Sequence, residues 1–103
     1  MTIPERVAAG AKWLDENVGL DWPTKVNLPK FDMVDPCRCV VGWVFKVESG
    51  PLTGFRFGAN KAMDAGYSVV DLGFDIRGGS EEYQLLQDEW TKVIKERTKD
   101  GTK

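Results

Sequence analysis

The sequence predicts a mainly α fold: a small single-domain bundle of about four helices, with a long ordered proline-containing connection and at most minor β structure. Three observations carry this. Apolar residues recur at spacings of three and four near both ends of the chain. Helix-start and helix-stop chemistry brackets most of the remaining apolar stretches. The 103 residues, 42% of them hydrophobic, suit one core and one domain, residues 1–103, with about 99–103 as a frayed tail.

The first helix is expected over Thr2–Val18. Thr2 followed by Glu5 fits a capping box, and Pro4 falls in the first turn, where its missing N–H does no harm. Ile3, Val7, Ala11, Leu14 and Val18 share one face, and Trp13 widens it. Arg6, Lys12, Asp15 and Glu16 fall on the exposed side. Asn17 and Gly19 supply the stop.

Residues 20–34 form a long connection. Pro23 and Pro29 prevent a continuous helix. Trp22, Val26, Leu28, Phe31 and Met33 are too apolar for a loose linker, so an extended strap over the core is expected, with a short strand around Lys25–Leu28 as an option.

Asp35-Pro36 reads as a cap followed by proline at the first helical position, starting a helix over residues 36–47. Its valines, Trp43 and Phe45 also favour a strand, and the start signal decides for helix. Cys37 and Val40 then pack inward, Cys39 is the more exposed thiol, and Gly42 admits a neighbouring backbone. Thr53 caps a helix to about Ala65, with Phe55, Ala59, Ala62 and Met63 as its apolar face and Gly66 as its stop. Ser68 and Asp71 point to a short helix over Val69–Leu72. Phe74 and Ile76 plug the core from the following loop. The last helix runs from Ser80 to Arg97, with Glu81 and Glu82 in its first turn and Tyr83, Leu86, Trp90 and Val93 or Ile94 along its buried face.

Composition narrows function. Fourteen basic and sixteen acidic residues give a net charge of −2. They are evenly spread, which fits neither a nonspecific nucleic-acid binder nor a nucleic-acid mimic. No apolar run is long enough for a membrane span, and the opening residues do not read as a secretory leader. Histidine is absent, removing the commonest general base and neutral metal ligand. Cys37 and Cys39 are too closely spaced for an easy disulfide and cannot alone complete a tetrahedral zinc site, so a reducing compartment and no metal are expected. Adjacent carboxylates such as Asp15/Glu16, Glu81/Glu82 and Asp88/Glu89 diverge on a helix and read as solvated faces.

The segment Asp32–Gly42, with its Asp-Pro-Cys-Arg-Cys-Val-Val-Gly core, resembles a family of small proteins encoded by actinobacteriophages, mycobacteriophages especially. The likeness extends to Arg6–Glu16, Trp22, Leu72–Asp75, and Tyr83 with Trp90, and so covers most of the chain. The aromatic stretch Gly54-Phe-Arg-Phe-Gly departs from it. The resemblance implies a phage product acting in the host cytoplasm. The family has no assigned activity, so it implies no catalytic residue.

These readings lead to a non-enzymatic accessory protein, without cofactor, that binds and modulates a host protein. The candidate partner-binding residues are Trp22, Arg38, Cys39 and Trp43, since tryptophan and arginine dominate binding hot spots. For Trp22 a half-buried structural role competes with that of a surface anchor. The alternatives are a nucleic-acid-associated regulator using Lys92, Lys95, Arg97 and Lys99, and a small redox protein built on Cys39, whose thiolate Arg38 and a helix N-terminus would favour. Homodimerisation is compatible with each.

Overall fold

A computed structural model describes residues 2–35, 37–45 and 54–101, with side chains through residue 98. It is a mainly α domain, and the described residues form four helices: α1 (Ile3–Asn17), α2 (Val40–Val44), α3 (Gly54–Asp64) and α4 (Glu81–Gly101). No strand occurs among the described residues, so the optional strand around Lys25–Leu28 is not formed.

Helix α1 starts as its capping box dictates. The Thr2 N–H donates to Glu5 Oε1 at 2.8 Å, and the Glu5 N–H donates to Thr2 Oγ1 at 3.2 Å. Val7, Ala11, Trp13 and Leu14 are buried. Gly10 is buried beside them because the Leu72 carbonyl rests against the helix there, where a Cβ would overlap it. Gly19 ends the helix at φ +131°.

The connection after α1 is ordered. Two 3₁₀ turns, Trp22–Lys25 and Leu28–Lys30, each take a proline in their first turn. Trp22, Val26, Phe31 and Met33 are buried. The Gln87 side chain fastens the strap to α4: its Oε1 accepts from the Met33 N–H at 3.2 Å, and its Nε2 donates to the Phe31 carbonyl at 3.3 Å.

The next helix begins later than Asp35-Pro36 predicts. Asp35 Oδ1 instead accepts from the Cys37 N–H at 2.8 Å, an aspartate turn, and the Asp35 carbonyl accepts from the N–H groups of Arg38 and Cys39. Cys39 becomes the N-cap of the five-residue α2. The helix ends at Val44 with Phe45 as its C-cap, short of the expected end. Pro36, residues 46–47 and the Thr53 cap of α3 lie outside the described residues.

Helices α2 and α3 pack closely. Gly54 lies on the Gly42 carbonyl, and Gly58 on Val41 and Phe45, each with no room for a Cβ. Gly54, Gly58, Ala59 and Ala62 are buried, so the small residues face α2. Met63, expected on this face, is instead 53% exposed, because the contact is centred on the glycines. Gly66 ends the segment at φ +90°.

Residues 69–73 form a turn rather than the expected short helix. Gly73 breaks it at φ +70°, and the Val70 carbonyl accepts both the Gly73 N–H and the side chain of Arg6. Phe74 is buried and Ile76 half-buried, as core plugs should be.

Along α4, Leu86, Trp90 and Ile94 are buried, with Tyr83 and Val93 at the margin. Its backbone stays helical through Gly101, past the expected fraying point. Trp90 is the hub of the core: it stacks on Phe74 at 5.9 Å, meets the edge of Trp22 at 5.9 Å, and donates Nε1–H to the Gly73 carbonyl at 2.7 Å.

Two ion pairs join α1 to α4, Arg6–Glu82 near their starts and Asp15–Arg97 near their ends. The helices therefore run parallel. Arg6 and Asp15 were both expected on the exposed side. Arg6 is only 3% exposed, because residues 70–75 close over it and supply carbonyls. Its Nε donates to Val70 O at 2.7 Å, Nη1 to Glu82 Oε2 at 2.8 Å and Nη2 to Asp75 O at 2.6 Å.

Candidate functional site

Of the four candidate partner-binding residues, two reach the surface and two do not. Trp22 is fully buried. Its indole N–H donates to Asp15 Oδ1 at 2.8 Å, and the Arg97 guanidinium lies 5.8 Å from its ring centroid. It is a core residue, neither a surface anchor nor half-buried. Arg97, one of the four bases of the nucleic-acid alternative, is the one that covers it, and also donates to Asp15 at 2.7 Å.

Cys39 is 1% exposed and Cys37 is exposed, the reverse of the expected order. The late start of α2 is the cause. As N-cap, Cys39 turns its Sγ inward to accept the Gly42 N–H at 3.3 Å. Burial pushes its thiol up to about 11, against the opposing effect of nearby backbone N–H groups. A neutral buried thiol is the opposite of the exposed thiolate that the redox alternative requires.

Arg38 is exposed and pairs with Asp35 at 3.9 Å. Trp43 is half-buried, packed against the core. Arg38 ends a loop that holds its own shape. The Asp32 N–H donates to the Arg38 carbonyl at 3.0 Å and closes the loop at its base. Within it, Asp32 Oδ1 accepts from the Val34 N–H at 3.0 Å, and the Asp32 carbonyl accepts from the Asp35 N–H at 3.2 Å. With the Asp35 turn and Gln87 added, the described N–H groups of residues 32–35 and 37–39 are all engaged.

This loop presents Val34, which is 62% exposed although apolar. Between the loop and the start of α4 lies an open groove of about 640 Å³. Lys30, Val34 and Arg38 line one side of it, and Ser80, Tyr83 and Gln84 the other. Sequence reasoning reached Arg38 but missed Val34 and the groove. The available signal was a valine flanked by two turn-forming aspartates, Asp32 and Asp35.

Among the described residues, no three His, Cys, Asp or Glu side chains gather in a way that could hold a metal ion. No described helix is long and apolar enough to cross a membrane. No family model, curated protein or solved structure matches the chain.

Proposed function

We propose that the chain is a phage accessory protein that binds and modulates a host protein without catalysing a reaction, and that it meets its partner on the loop 32–38 and the adjoining groove. The observation that carries this reading is the exposure of Val34 on a loop whose backbone is held by its own hydrogen bonds. An apolar side chain on a pre-ordered loop can be buried by a partner with little further loss of chain entropy. Arg38 and Lys30 beside it supply polar contacts at the rim, as protein interfaces commonly do. The phage origin and the host cytoplasm as its place of action rest on the likeness of the Asp35–Gly42 segment to actinobacteriophage sequences.

The test is affinity capture from mycobacterial lysate by the wild-type chain and by the double variant Val34→Asp, Arg38→Glu. Both side chains are exposed, so circular dichroism of the variant should match that of the wild type. The expected result is a stoichiometric host protein retained by the wild type and lost by the variant. Capture that ignores both substitutions, or no stoichiometric partner, overturns the reading.

A further inference from the structure

A second cavity, of about 220 Å³, lies behind the loop, beneath Val34 and Met33. Its other lining residues are Cys39, Phe55, Phe74, Asp75 and Tyr83. Three aromatic residues, a methionine and a cysteine thus share one lining with an aspartate. Nothing in the core packing of α2 on α3, or of α1 on α4, requires a carboxylate here. Asp75 helps the fold through its backbone carbonyl, which accepts from Arg6, and through Oδ1, which accepts from the Ile76 N–H at 2.8 Å. Among the described residues no lysine or arginine lines the space, and the Arg6 guanidinium, which donates to the Asp75 carbonyl, is matched by Glu82 at 2.8 Å.

Aromatic rings attract cations through the negative potential of their faces. The attraction is strongest for cations already poor in hydration, such as alkylated ammonium groups. A carboxylate at the edge of such a site adds charge complementarity without demanding the hydrogen bond that a primary ammonium would need. The volume also suits such a group: an apolar cavity of about 150 Å³ already holds a benzene ring.

We propose that this cavity binds a methylated or quaternary ammonium group, with Phe55 and Tyr83 beside the cation, the buried Phe74 at its floor and Asp75 as its counter-charge. The assignment is independent of the host-protein reading, since it needs no macromolecular partner. The group has two chemical sources, a free quaternary ammonium compound or a methylated lysine side chain, and the test separates them.

The test is an NMR titration of the full chain with choline, with a short trimethyllysine peptide, and with 3,3-dimethylbutanol, the uncharged carbon analogue of choline. Ionic strength is held constant with sodium chloride. The expected result is saturable shifts at Cys39, Phe55, Phe74 and Tyr83 with the cations, and binding of the alcohol weaker by about tenfold. Asp75→Asn keeps the oxygen that accepts the Ile76 N–H and should weaken cation binding by about tenfold while leaving the alcohol unchanged. Phe55→Leu, at a half-buried position, should weaken the cations more than the alcohol. Tighter binding of the peptide than of choline assigns the site to methylated lysine, and the reverse order assigns it to a free compound. Equal binding of cation and alcohol, insensitivity to Asp75→Asn, or no shifts at the cavity residues overturns the proposal. Arg38 does not line this cavity, so loss of host capture by Arg38→Glu alone with retained choline binding would separate the two sites.

Discussion

Arg6 shows how much one side chain can organise. Its guanidinium joins α1 to two carbonyls of the loop 70–75 and to the first turn of α4. Arg6→Met keeps most of the volume but leaves those acceptors without a buried donor. Breaking a buried pair from one side costs about 3 kcal/mol or more, so urea denaturation should show a midpoint far below that of the wild type. Glu82 is the other half of the clasp. Its carboxylate accepts from the Arg77 N–H at 2.8 Å, from Arg6, and from the Gly78 N–H at 3.1 Å. These donors, Arg77 first, hold its pKa below the ordinary 4.5. A folded-state value below the unfolded one stabilises the fold above the ordinary carboxylate range, and that contribution fades as pH falls through the folded value. Stability should therefore decline from about pH 5 downward, and Glu82→Gln should lower stability at pH 7 while flattening this decline, as seen by denaturation at pH 7 and pH 3. Asp15 acts in the same sense at the far end of α1: burial raises its pKa, but Arg97 and the Trp22 indole together outweigh it. The cysteines give a separate readout. A thiol reagent should label Cys37 in the native protein and reach Cys39 only on unfolding, because Cys39 is both enclosed and held as a neutral thiol.

Among the elements, α1, α3 and α4 were legible in the sequence because their signals are local. The Thr2–Glu5 box, the glycine stops at Gly19 and Gly66, and the stripe Leu86, Trp90, Ile94 need only near neighbours to act. The errors have a common origin in long-range competition. Asp35 spends its side chain on a turn, so α2 starts at Val40 and the two thiols exchange roles. The Val69–Leu72 segment has a helix-like start, but its Val70 carbonyl is claimed by Arg6 and its end is turned by Gly73. The burial of Arg6 itself has no local signal, since its partners lie 64 to 76 residues away. The candidate site was legible only in part for the same reason. Arg38 is exposed as a binding residue must be, whereas Trp22 was lost to a core formed with Trp90, over 60 residues distant. Gly42 signalled that a neighbouring backbone comes close, and Gly54 and Gly58 of α3 supply that approach. Gly58→Ala should destabilise the fold by about 1–3 kcal/mol through overpacking against Val41 and Phe45. Ala at exposed Lys61 on the same helix should have little effect, and thermal melts of the two variants give the comparison.

At the scale of the whole molecule, a series of aromatic contacts running from Trp22 through Trp90, Phe74 and Trp13 to Phe45 is held by the parallel helices α1 and α4. Trp90 touches Trp22, Phe74 and the Gly73 carbonyl together. Trp90→Ala should cost about 3–5 kcal/mol, a large part of the roughly 5–15 kcal/mol by which a domain is stable. Loss of the near-ultraviolet circular dichroism signal at ambient temperature would be the mark of that collapse. The parallel arrangement of α1 and α4 also bears on how the protein is made. Until α4 has been made, Trp22 and Phe74 lack the Trp90 ring that will cover them, and folding must wait until α4 has emerged. A chain cut short by a premature stop codon before α4 would carry those rings uncovered, making it a substrate for proteases and chaperones rather than a smaller version of the same protein.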